Sequence, residues 1–168
     1  MKTFLHGVTA IAVLLGGFYL LNIYLYAEKQ GERVELSDGK HLGFIRAFTD
    51  NNTAIDFDDA VWLTGKTAED AAIAARLCTE GTREECLPND YYIQNVSTKT
   101  VRVPVDPTAR IIMQTWQAES TGQVGPREVS ITSLAATLNT PGLHWRELPF
   151  QITTEGNEVI RIEEVYIP

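Results

Sequence analysis

The run Leu42-Gly43-Phe44-Ile45-Arg46-Ala47-Phe48, the triplet Asp50-Asn51-Asn52 and the run Thr53-Ala54-Ile55-Asp56-Phe57 decide how this chain folds. Two β-like runs about a polar, turn-forming triplet predict a hairpin. Alternation in the second strand sets Asp56 and Asp58 on one face and Phe57 on the other. C-terminal to the hairpin, Thr67-Ala68-Glu69-Asp70 has a capping-box-like form and predicts an alanine-rich helix to about Arg76, with Ile73 and Leu77 on one face. Tyr91 to Val96 reads as a third strand. Val101-Arg102-Val103-Pro104-Val105 alternates like a half-buried strand, and Pro104 predicts that it lies near an edge. Ala109 to Trp116 reads as a further strand and Ser133 to Leu138 as a short helical segment. Phe150-Gln151-Ile152-Thr153 and Val159 to Tyr166 flank Glu155-Gly156-Asn157, the composition of a tight turn, so a hairpin closes the chain. Six or seven short strands with one inserted helix predict a mainly β domain, all-β or α+β. The expected form is a small antiparallel, OB-like or rolled barrel.

The chain has 168 residues, 44% hydrophobic and 21% charged, a composition that excludes disorder and leaves room for one folded domain. Phe4 to Tyr26 is a run of 23 residues without a charge. As a helix it spans about 34 Å, enough to cross a hydrocarbon core of roughly 30 Å. Lys2 precedes it, which favours a cytoplasmic N-terminus. A cleaved signal peptide is the alternative, but the bulky Tyr24-Leu25-Tyr26 before Ala27 makes a poor exit site. The expected organisation is an anchor over 1–27, a polar stalk over 28–40 and an extracytoplasmic β domain over 41–168. Residues 28–168 carry 13 Lys and Arg against 22 Asp and Glu, a formal charge of −9. Such a balance argues against nucleic-acid partners, whose phosphates need clustered cations.

Cys78 and Cys86 are the only cysteines and both lie in the exported part. In an oxidising compartment a pair reads as one disulfide, pinning a short acidic loop. A lone C-x7-C lacks the further ligands of a zinc site and the C-x-x-C redox frame.

Trp62-Leu63-Thr64-Gly65-Lys66, Leu87-Pro88-Asn89-Asp90-Tyr91-Tyr92-Ile93-Gln94-Asn95 and the tail Ile162-Glu163-Glu164-Val165-Tyr166-Ile167-Pro168 together resemble a family of uncharacterised bacterial exported or membrane-anchored domains. The likeness covers roughly 41–168. It implies location and a compact β domain, with no catalytic residue to carry over.

No nucleophile elbow, phosphate-cradling loop, H-E-x-x-H pair or dinucleotide fingerprint occurs, so no catalytic residue, cofactor or metal site is expected. His144 with Ser130 or Ser133 is the barest hint of a relay, set against a surface imidazole packed on Trp145. Asp56, Asp58 and Asp59 form the densest carboxylate group but lack the spacing of a calcium loop and also suit strand ends and caps. The candidate binding surface is Asn89, Asp90, Tyr91 and Tyr92, where a disulfide would hold a turn against an aromatic strand. Against it stands a turn at Asn89-Asp90 with one tyrosine in the core. The expected function is a membrane-tethered, extracytoplasmic, non-enzymatic binding or accessory module, joined to the membrane through residues 4–26 and to an envelope protein or polymer outside it. The alternatives are an envelope hydrolase or its inhibitor using carboxylates such as Asp58 and Asp90, or a structural subunit of a membrane complex.

Overall fold

The hairpin decoded first sits at the centre of the architecture. A computed structural model describes residues 36–95, 97, 99–116, 118, 122–138, 140 and 144–167. The expected anchor lies outside the described residues, and among the described residues no helix is long and apolar enough to cross a membrane. Strand β1 (Gly39–Thr49) turns through a 3-10 segment (Asp50–Asn52) into β2 (Ala54–Thr64). Asp50, Asn51 and Asn52 all have positive φ, a conformation that Asn and Asp tolerate better than other side chains. Then follow helix α1 (Gly65–Ala74), the short α2 (Arg83–Cys86), β3 (Tyr91–Gln94), β4 (Val101–Met113), β5 (Arg127–Val129), α3 (Ile131–Leu138), a 3-10 turn (His144–Glu147), β6 (Pro149–Glu155) and β7 (Glu158–Glu164). At the β6–β7 turn Gly156 and Asn157 again have positive φ, which gives the predicted closing hairpin.

The fold is mainly β: one mixed sheet of seven strands in the order β3-β2-β1-β6-β7-β4-β5, with β2 also paired to β4. Ladders therefore run from β1 to β2, β4, β7, β6 and back to β1. All are antiparallel except β4–β7, so the sheet is mainly antiparallel with one parallel pair that the sequence reading did not contain. A parallel pair requires a long crossover, and the stretch carrying β5, α3 and β6 supplies it. Among the described residues there are three α-helices, two of them the alanine-rich helix and the Ser133 to Leu138 segment that the sequence predicts. The missed α2 is a single turn inside the cysteine loop, too short to carry a hydrophobic period.

Three boundaries differ from the sequence reading. Helix α1 begins at Gly65, so Thr67 lies within its first turn, where its Oγ1 donates to the Thr64 carbonyl at 2.7 Å and no capping box forms. Val101 to Met113 is one strand, and Trp116 lies beyond it. Pro104 is paired on one side only, with β2, in keeping with the near-edge position that its missing N–H predicts. It sits opposite Ala54, while the Val105 N–H donates to Thr53, so Pro104 is a non-bonded pair facing β2. On its other side the β7 ladder begins only at Val105 and is then interrupted until Arg110. The missing N–H thus falls where no ladder bond is required. At the N-terminal side Leu36 already packs against the core, and the Ser37 carbonyl accepts from the Thr154 hydroxyl at 2.7 Å. The ordered domain therefore starts before His41.

Every strand of the ladder circuit contributes to one core, for example Ile45, Phe57, Val103, Phe150, Val159 and Ile162, each 0–1% exposed. Helix α3 closes it with Leu134 and Leu138, one turn apart on the same stripe. Ser130 caps that helix by accepting the Ser133 N–H at 3.1 Å. Gly43 allows β1 to approach β2: a Cβ there would lie 2.2 Å from the Asp58 carbonyl oxygen.

Candidate binding face

β2 extends past β1, and from Val61 to Thr64 its neighbour is β3, with Trp62 opposite Ile93, Leu63 opposite Tyr92 and Thr64 opposite Tyr91. Opposed residues in an antiparallel pair point to the same side. One face of this ribbon therefore carries Trp62, Tyr91 and Ile93, and the other carries Val61, Leu63 and Tyr92. The second face is covered at Leu63 and Tyr92, which pack on a satellite cluster of Ala68, Ala72, Cys78 and Leu87, and is left open at its Val61 end. The first face is open: Trp62 is 38% exposed and stacks on Tyr91 with ring centroids 4.3 Å apart. Such a stack contributes about 0.5–1.5 kcal/mol and limits the rotamers of both rings.

The sequence-derived candidates thus separate. Tyr91 turns outward onto Trp62 and Tyr92 turns inward onto the α1 cluster. Asn89 is exposed, and Asp90 is held at positive φ by a backbone bond from its N–H to the Leu87 carbonyl at 2.9 Å. Its carboxylate accepts from the Arg83 guanidinium, and its carbonyl accepts from the Gly65 N–H. Cys78 and Cys86 are joined in a disulfide with Cα atoms 5.7 Å apart. Disulfide and ion pair together fix the loop that leads into β3. Trp62 was missed as a site residue because only the β2–β3 register, which no local pattern encodes, brings it to Tyr91.

Continuing along the same face of β2, Ala60 and Asp58 precede Trp62 at the two-residue strand period. Asp58 is 2% exposed, and its Oδ2 accepts from Arg46 Nε at 2.9 Å, Arg46 Nη2 at 2.6 Å and Asn95 Nδ2 at 2.8 Å. Oδ1 is buried and has no donor among the described residues. Arg46 occupies the β1 bulge, where the register to β2 shifts between Ile45 and Ala47. The extra residue turns its side chain back across the face, 4.7 Å over the Phe44 ring. Asn95 follows β3, so this network ties the aromatic ribbon to the β1–β2 hairpin.

The other polar candidates are engaged elsewhere. Asp56 pairs with Arg102, directly opposite on β4, at 2.9 Å. Partial desolvation pushes the Asp59 carboxyl up, with nearby His41 opposing it. The Ser130 and Ser133 hydroxyls lie 2.8 Å from each other at the start of α3. Among the described residues no three His, Cys, Asp or Glu side chains converge as a metal site. At the far side, Glu164, 4% exposed, accepts from the backbone N–H groups of Gln114 and Thr115 at 2.7 and 2.9 Å and from the Thr115 hydroxyl. It anchors the start of the loop after β4. No family model, no curated protein and no solved structure matches this chain.

Proposed function

We propose that this protein is a membrane-tethered, extracytoplasmic, non-enzymatic binding module whose body is an OB-type barrel and whose contact surface is the Trp62–Tyr91 face. The barrel reading is supported by the circuit of ladders through β1, β2, β4, β7 and β6, and by helix α3, which joins the same core and lies in chain order between β4 and β6. The tether is the uncharged run 4–26, and the disulfide suits an oxidising compartment outside the membrane.

The observation that carries the binding reading is a large aromatic residue left 38% exposed on a ribbon braced by a disulfide and ion pairs. Rigid aromatic area with polar tips contributes contact energy at low entropic cost. The charge of −9 over residues 28–168 turns the choice of partner away from nucleic acid and toward an envelope protein or polymer. The pairing of Asp58 with Arg46 and of Asp90 with Arg83 counts against a hydrolase using those carboxylates, because each is already neutralised by its own arginine.

The test is co-purification of the full chain from membranes, comparing wild type with a Trp62→Ala, Tyr91→Ala double variant. Loss of associated material with the thermal transition largely retained supports the proposal. Unchanged association contradicts it.

A further inference from the structure

We infer that the open edge of β3 receives an extended peptide strand, so that the partner of this face is a polypeptide segment of basic or neutral charge added to the sheet. The inference rests on the binding reading above and specifies its ligand class. The sheet has two terminal strands, β3 and β5, each paired on one side only among the described residues. They are treated very differently. Strand β5 is three residues long, is preceded by Pro126 and carries Arg127 and Glu128, the latter paired with Arg110 at 3.0 Å. Charge, proline and shortness are the usual protections of a sheet edge. Strand β3 reads Tyr91-Tyr92-Ile93-Gln94 and has neither charge nor proline. Its outer edge has no strand partner among the described residues, and a group that satisfies main-chain donors and acceptors along a line is another strand.

The surroundings specify the side chains. Trp62, Tyr91 and Ile93 line the open face, so alternate residues of an added strand would meet apolar or aromatic surface there. The connection from α1 to the Tyr91 end of β3 exposes Glu80, Glu84 and Glu85 against two arginines, Arg76 and Arg83, the second of which is held by Asp90. This acidic rim attracts a cationic flank and repels an acidic one. The disulfide and the Arg83–Asp90 pair order the strand before any ligand arrives, which lowers the entropic cost of adding to it.

The test uses the full chain in detergent micelles and the fluorescently labelled heptapeptide Lys-Thr-Val-Thr-Val-Thr-Lys, read by polarisation. Saturable binding is expected, weakened about tenfold when alternate peptide nitrogens are methylated, since this removes main-chain bonds and keeps the side chains. Replacing both lysines by glutamate weakens binding further, and raising salt reduces the difference. Equal binding of the methylated and unmethylated peptides overturns strand addition. Absence of binding at millimolar peptide overturns it as well. Binding of a neutral N-acetylglucosamine oligosaccharide in place of the peptide overturns the peptide inference alone and leaves the binding reading intact. If Trp62→Ala and Tyr91→Ala also leave membrane co-purification unchanged, the binding reading fails independently.

Discussion

Arg46→Met isolates the polar network under the aromatic face. The substitution removes two of the three donors that the described residues offer the Asp58 carboxylate, together with the one cationic partner among them, and leaves Asn95 against a group that is 2% exposed. Breaking a buried pair from one side costs about 3–5 kcal/mol, because the remaining charge stays desolvated. The Arg46 side chain is 39% exposed, so water reaches the site from its side and the lower end applies, about 3 kcal/mol. For a domain of this size that lowers the thermal midpoint by about 10 °C. Asp58→Leu removes the buried charge and leaves Arg46 free to turn to water, so it costs about 1 kcal/mol. The double variant should lie near that single one, giving a coupling of about 2–3 kcal/mol in the cycle. Urea unfolding of the full chain in detergent, followed by far-UV circular dichroism, reads all four proteins, with an unchanged slope showing that only stability moved. If Arg46→Met lies within about 0.5 kcal/mol of wild type, the network is a surface ion pair and the reasoning is wrong.

Three further outcomes follow from the same geometry. Cys78→Ser with Cys86→Ser frees a nine-residue loop and should cost about 2.6 kcal/mol on the loop-entropy estimate, with reducing agent destabilising the wild type but not the variant. Gly43→Ala should destabilise by about 1–3 kcal/mol in chemical unfolding, since the new Cβ meets the Asp58 backbone rather than a yielding side chain. The Arg161 guanidinium, donating to Glu163 at 2.7 Å, holds that carboxyl below the usual range. A depressed folded pKa contributes stability above the unfolded value and loses it as pH falls through the folded one. Glu163→Gln should therefore be slightly less stable than wild type, by less than about 1 kcal/mol, at neutral pH and equal to it in strong acid. A difference that grows on acidification would invert the sign.

Local signals are legible in this sequence, and non-local ones are not. Both hairpins are legible because Asp50-Asn51-Asn52 and Gly156-Asn157 are residues that accept positive φ, and the disulfide is legible because Cys78 and Cys86 are the only two cysteines of the sequence. The single strand from Val101 to Met113 is not, because Asp106-Pro107 breaks the alternation where the β7 ladder is interrupted. Thr67 and Asp70 imitate a capping box, whereas the helix starts three residues earlier, with Thr64 as its N-cap. Of the candidate surface, the role of Tyr91 depended on Trp62, and that of Asp58 on a bulge at Arg46. Both depend on register between strands, which is set by the whole sheet and leaves no trace in either segment alone.

Site-specific photo-crosslinking in cells tests the central claim most directly. A benzophenone side chain placed at Tyr91 in the intact protein should capture a polypeptide outside the membrane, whereas the same probe at Glu158, on the exposed β6–β7 turn, should not. Equal capture at both positions, or capture of cytoplasmic proteins at Tyr91, would contradict the account.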